Sequence, residues 1–411
     1  MNVLYLDNNA TTQPAAQVVA AMNEVNEQVW ANPSSVHRFG QMVRQRVELA
    51  RASVARLINC KDREILFTSG GTESNNLALR GILNPPGAAA SAARRLLFTT
   101  KIEHAAIREP AAFFAEHGVH VIYLPVTIDG WVDPASLAAA LNEHVKPGDI
   151  AMISVQWANN ETGVIQPIAE IGRAIVEARS SAKLCDAASG KTKLFFHVDA
   201  TQAVGKIPVD VTTTAIDLMT FAAHKFHGPK GVGALYVRSG IKLRPQNLGG
   251  PQERDRRGGT ENTPGIIGFG VAADLAKTFV DDPAAIARQL ALRDRFEESI
   301  LTELPTTVIN SFHKPRLWNT SSLGFPQLEA EAILLGLSER GLCASAGAAC
   351  SSGSLEPSPV LLAMGIPETV AHGSVRFSLS RHTTSEEIDE AVRIVPAVVA
   401  KLARTLPVGA G

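Results

Sequence analysis

Between residues 65 and 237 the chain repeats one pattern: a short apolar run, a stretch with helical spacing, then another apolar run. The apolar runs fall at 65–68, 96–99, 120–124, 150–156, 194–198, 218–222 and 233–237, and helical spacing separates several of them, as at 107–117, 134–144 and 168–179. Strands with so little polar alternation belong in a sheet covered on both faces, and the strand–helix alternation makes that sheet mostly parallel. At 411 residues the chain exceeds the size at which a single core stops growing, so a second unit is expected. Past Thr263 the texture changes to long helical runs at 265–280 and 284–304, sparse strands, and a helical pattern at 385–406 that Pro396 should kink. The expected architecture is α/β: a mostly parallel seven-stranded sheet in a large domain of residues 13–263, with a smaller α+β domain of residues 1–12 and 264–411.

An amphipathic helix precedes the first run, with Phe39, Val43, Val47, Ala50, Val54 and Leu57 at three- and four-residue steps. Residues 84–93 and 180–192 are rich in small residues and read as exposed insertions. A net charge of -1 offers no attraction to nucleic acid or to an anionic membrane surface. No apolar run is long enough to span a bilayer, and the first residues lack the basic and apolar regions of a secretory signal, so a cytoplasmic location is expected. Cys60, Cys185, Cys343 and Cys350 are too few and too scattered for a disulfide framework, and none forms a Cys-x-x-Cys pair for a structural metal.

Seven segments carry residue types suited to chemistry. Lys225 follows the apolar run 218–222 and precedes a Gly/Pro-rich turn, His227-Gly-Pro-Lys-Gly231. An amine fixed at a strand end and partly desolvated suits Schiff-base chemistry with pyridoxal phosphate. Phe67-Thr-Ser-Gly-Gly71-Thr72 joins a strand to a helix and reads as a phosphate cradle or simply as a well-capped helix. It lacks the spacing of a Walker loop or a dinucleotide fingerprint. Asp199 and Gln202 lie just beyond a strand, where a carboxylate could pair with a pyridine nitrogen or could cap a helix. His104 ends another strand and suits stacking and proton transfer, and Asn160 sits in a polar cluster after a third. Cys350 lies among Ser, Gly and Ala, a composition that fits a thiol carried in and out of a pocket better than core packing. Arg376, on an apolar strand, suits either bidentate capture of a carboxylate or a structural ion pair.

Together these segments resemble the cysteine desulfurases of the NifS/IscS type, in the class V aminotransferase group of fold-type I pyridoxal phosphate enzymes. The resemblance runs from Tyr5-Leu-Asp-Asn-Asn-Ala-Thr-Thr12 to Arg376-Phe-Ser-Leu-Ser-Arg381, and is most specific at His224-Lys225 and at Cys350-Ser-Ser-Gly-Ser-Leu-Glu-Pro-Ser358. It implies that Lys225 holds pyridoxal 5'-phosphate, Asp199 and Gln202 tune its ring, His104 stacks on it, and Gly71, Thr72 and His224 bind its phosphate. Asn160 and Arg376 would hold the carboxylate of L-cysteine, and Cys350 would receive its sulfur as a persulfide. It further implies a homodimer in which Thr260, in Arg257-Gly-Gly-Thr260-Glu-Asn262, reaches the neighbouring subunit's phosphate site. The sulfur would pass to an acceptor such as an iron–sulfur scaffold or relay protein, with Cys350 at most a transient cluster ligand and no stable metal site. One departure stands out: the family usually has a serine three residues before the lysine, and position 222 is alanine. The chain also stops soon after Arg404, so the extended tail by which some members dock a scaffold is expected to be absent. The alternatives are a selenocysteine lyase or other β-lyase, which would not need Cys350, and a non-enzymatic sulfur-transfer scaffold, which would be expected to have lost Lys225 or Cys350.

Overall fold

The computed structural model describes residues 3–83, 93–181, 193–346 and 356–404. The insertions expected at 84–93 and 180–192, Cys185 and Cys350 lie wholly or mostly outside them. A seven-stranded sheet dominates, in the spatial order Ile65–Thr68, Gly233–Val237, Leu218–Ala222, Lys193–Asp199, Ile150–Gln156, Arg95–Thr100, His120–Leu124. Gly233–Val237 runs antiparallel to both of its neighbours and the remaining pairs are parallel. Alternate residues of each strand feed two cores. Ile153, Phe196, Val198 and Phe221 face one, and Leu97, Met152, Leu218 and Leu235 face the other. That double burial is why the strands read as continuous apolar runs.

The helix Arg38–Leu57 buries Val43, Val47, Ala50, Val54 and Leu57 as its spacing required. Its partner is the helix Thr263–Val280, where a Cβ on Gly270 would stand 2.7 Å from Ala50 Cα, so only glycine allows the two backbones to approach. Thr263–Val280 had been expected in the smaller domain. Instead Ile266, Phe269, Ala272 and Ala276 complete the larger core, and we place the division after Val280.

Beyond it, Pro283–Glu303 leads into a three-stranded antiparallel sheet in which Thr320–Gly324 lies between Val308–Ile309 and Ser374–Ser378. The N-terminal strand Leu4–Tyr5 pairs in parallel with Leu342–Cys343, and Leu4 and Leu6 join Phe296, Val375 and Phe377 in a separate core. The last helix, Ser385–Ala403, continues through Pro396. It opens with a reciprocal cap: Glu387 N donates to Thr384 Oγ1 at 3.2 Å and Thr384 N to Glu387 Oε2 at 2.9 Å. Among the described residues, no helix is long and apolar enough to cross a membrane.

Candidate active site

The parallel strands end along one edge, and the turns that follow them surround a cavity of about 560 Å³. Every site residue expected from the sequence and described in the structure lines this cavity, except Thr260. Thr260 is exposed, on a loop tied to the sheet domain by the Arg257–Glu73 ion pair at 2.9 Å.

Asp199 ends the strand Lys193–Asp199 beside Gln156 of the neighbouring strand. Its Oδ2 accepts from Asn75 Nδ2 at 2.7 Å and its Oδ1 from Thr201 N at 3.0 Å, so the carboxylate is aimed before anything binds. Asn75 belongs to the helix Gly71–Leu83, which begins in the same cavity wall. A Cβ on Gly71 would come within 3.2 Å of Thr201 Oγ1 and 3.9 Å of Ala222 Cβ, so a side chain there would fill part of the cradle. Thr72 lies in the first turn of this helix.

Lys225 closes a short turn, Ala223–Lys225, after the strand Leu218–Ala222. Its Nζ donates to the main-chain oxygens of Asn9, at 2.7 Å, and Ala10, at 2.8 Å, so the N-terminal segment lies against the amine. Beside it, burial and the charges of Lys225, Lys230 and Lys206 push His224 down to about 4.

His104 caps the helix Ala105–Glu116, its Nδ1 accepting from Ala106 N at 3.1 Å, which places the ring proton on Nε2. Burial holds its pKa below the usual histidine value, with Asp199 opposing.

Arg376 combines both of its expected readings. It lines the cavity, and it also pairs with Asp7, Nη2 to Oδ1 at 2.6 Å, while Nη1 donates to the Asn160 main-chain oxygen at 3.0 Å. Cys350 lies outside the described residues, but the chain on both sides of it is fixed at the cavity. Ser345 pairs with Arg376 through two backbone hydrogen bonds, and Ser358 Oγ donates to the buried Glu161 at 2.5 Å. Glu356, Pro357 and Pro359 line the cavity itself.

Several contributors were not read from the sequence. Glu103 is fully buried, accepts from Thr100 Oγ1 at 2.9 Å and Gln156 N at 3.1 Å, and is pushed up to about 8 chiefly by desolvation. Asn9, Asn75 and Lys206 also belong to the site's hydrogen bonding. Only Lys206 carried a signal, a lysine inside the apolar stretch Ala203-Val-Gly-Lys-Ile-Pro-Val209.

Pyridoxal phosphate fits this donor set. Asn75 Oδ1, Glu103 Oε2 and Thr201 Oγ1 are buried cavity-wall atoms with no hydrogen-bond partner among the described residues, so the wall has polar capacity to spare. A glycine-lined helix start, a fixed carboxylate and an amine stand around one space.

The family model described as "Aminotransferase class-V" matches residues 4–391. The chain is 47% identical over 407 residues to "Cysteine desulfurase 2" of Trichormus variabilis, covering 99% of this chain and 96% of that one. It is 44% identical over 409 residues to "Cysteine desulfurase NifS" of Azotobacter vinelandii, covering 99% and 95% respectively. Among solved structures, a "NIFS-LIKE PROTEIN" superposes with a TM-score of 0.85 at 32% identity, covering 97% of this chain and 100% of that one.

Proposed function

This chain belongs to the class-V aminotransferase family and acts as a cysteine desulfurase, and we propose that it does so with pyridoxal 5'-phosphate held around Lys225. The observation that carries the proposal is the single cavity in which Thr72, His104, Asp199, Gln202, His224 and Lys225 converge from four separate stretches of chain.

When bound, pyridoxal phosphate supplies an electron sink that stabilises negative charge on the carbon beside an amino group. The helix start at Gly71 and Thr72, with His224, would hold its phosphate. Asp199 would pair with its ring nitrogen, Gln202 Nε2 would donate to its phenolic oxygen, and His104 would cover its ring face. Lys225 would hold it covalently through Nζ. Arg376 and Asn160 would bind the carboxylate of L-cysteine. Lys225 Nζ is then the base for the substrate's α-proton. Cys350 attacks the substrate sulfur: the Cβ–S bond breaks, an S–S bond forms, and L-cysteine plus a thiol become L-alanine plus a Cys350 persulfide. A cytoplasmic homodimer, with Thr260 completing the neighbouring subunit's phosphate site, and an iron–sulfur scaffold or relay as sulfur acceptor complete the proposal.

The test is reconstitution. The protein should take up one pyridoxal phosphate per chain with a visible absorbance band that survives gel filtration, and Lys225→Ala should lose the band on the same column. A band retained by Lys225→Ala would remove Lys225 as the anchor.

A further inference from the structure

Lys206 is 4% exposed, and its amine meets no carboxylate among the described residues. Nζ donates to Asn9 Oδ1 at 2.8 Å and to Gln202 Oε1 at 2.5 Å, two carboxamide oxygens. The charged groups acting on it are Lys225 and Arg376, both cations. Together with burial they drive its pKa well below the ordinary lysine value. Its backbone is fixed too, because Trp318 Nε1 of the smaller unit donates to the Lys206 carbonyl at 2.8 Å. A buried amine facing two cations is costly to keep, and packing alone would be served better by an apolar side chain.

The two carboxamides explain what the amine does. A lysine Nζ held by two acceptors donates to both, so the Gln202 carboxamide must turn its oxygen to Lys206 and its nitrogen the other way. That nitrogen donates to the Asn9 main-chain oxygen at 2.9 Å, the same oxygen that accepts Lys225 Nζ at 2.7 Å. The Asn9 side chain is held on both sides: its Oδ1 also accepts from Asn319 Nδ2 at 3.0 Å, and its Nδ2 donates to Thr320 Oγ1 at 2.9 Å.

We infer that Lys206 is a positioning residue of the active site: one buried amine orients the Gln202 carboxamide toward the cavity and fixes the Asn9 segment on which the Lys225 amine rests. The inference rests on the reading above, in which pyridoxal phosphate occupies the cavity and its phenolic oxygen accepts from Gln202 Nε2.

The experiment titrates the cofactor-free, full-length protein with pyridoxal 5'-phosphate and records both the apparent dissociation constant and the position of the visible band. The proteins are the parent, Lys206→Met, Gln202→Ala and the double variant. Each single change should weaken binding by about tenfold, the loss of one hydrogen bond to a charged acceptor, and shift the band in the same direction. The double variant should lose clearly less than the product of the two single losses, because Lys206 acts in part through Gln202. A Lys206→Met protein with the parent's affinity and band, or effects that multiply in the double variant, would overturn the inference. If Lys206→Met does not fold, Lys206→Gln, which keeps an N–H donor, replaces it and must show the same dependence on Gln202. A parent that takes up no cofactor would instead overturn the underlying reading.

Discussion

The two regions that meet at the cavity are built in opposite ways. The sheet edge contributes Asp199, His104 and Lys225 from the ends of hydrogen-bonded strands, each within four residues of its strand's last residue. The smaller unit contributes Arg376 from within a strand, and the chain on either side of residues 347–355. The sheet edge is suited to hold a group in one place. The smaller unit reaches the same cavity through one guanidinium and two anchored chain ends, an arrangement suited to binding and handing on a small molecule. Changes at the sheet edge should therefore alter how the cofactor is held and activated, and changes in the smaller unit should alter how the substrate is held.

The sharpest contrast comes from Asp199→Asn. Losing the charge that would face the ring nitrogen in the proposed complex should reduce turnover by about 10²–10⁴-fold, the range for a group that stabilises charge in the transition state, while cofactor stays bound. Turnover within a few-fold of the parent would remove Asp199 from the chemistry. Arg376→Lys should raise KM for L-cysteine by about tenfold or more, because an ammonium cannot reproduce the guanidinium fork. The cofactor's absorbance should be unchanged, and a shifted band would blur the division between the two regions.

Ala222→Ser tests the phosphate end. Ala222 lies on the cavity wall beside the Gly71 cradle, and a hydroxyl there should tighten cofactor binding by about tenfold, with ~1.5–3 kcal/mol as the range for a hydrogen bond to a charged acceptor. Equal affinity would mean that another donor already fills that place, with the Thr201 hydroxyl, unpartnered among the described residues, one candidate.

The smallest effect concerns stability. His197, His224 and His227 are each pushed down to about 4, with burial the largest cause. The unfolded chain takes up these protons at about pH 6.5 and the folded chain refuses them. Their contribution is complete above about pH 6.5 and is lost as pH falls toward 4. Glu103, pushed up to about 8, works the other way, as does the raised Glu161, but the histidines outnumber them. The cofactor-free protein should melt several degrees lower at pH 5 than at pH 7, and equal melting temperatures would contradict this.

The same contrast sets what could be read from the residues alone. Strands at 65–68, 150–156, 218–222 and 233–237 were legible to the residue, because double burial writes itself as an unbroken apolar run. The helix Ala16–Gln28 was not legible, since it buries only Val18 and Val25. The helix Thr263–Val280 looked like the start of a new unit because its composition changes there. It belongs to the first because it lies between two other helices, and that neighbourhood is not written in its own sequence. At the site, charged and polar residues next to strand ends stood out. Glu103 did not, and Lys206 showed only as a lysine inside an apolar stretch, because their meaning comes from being buried, and only tertiary packing buries them.

The central claim is that the smaller unit's cysteine takes sulfur from a substrate activated at the sheet edge. It is tested most directly by L-alanine release from L-cysteine by the cofactor-loaded protein with a thiol reductant, beside Cys350→Ser. Steady alanine release by the parent, and almost none from a variant with the parent's absorbance band, is the predicted result. Equal release from both would contradict the account and assign the protein to a lyase that does not use this thiol.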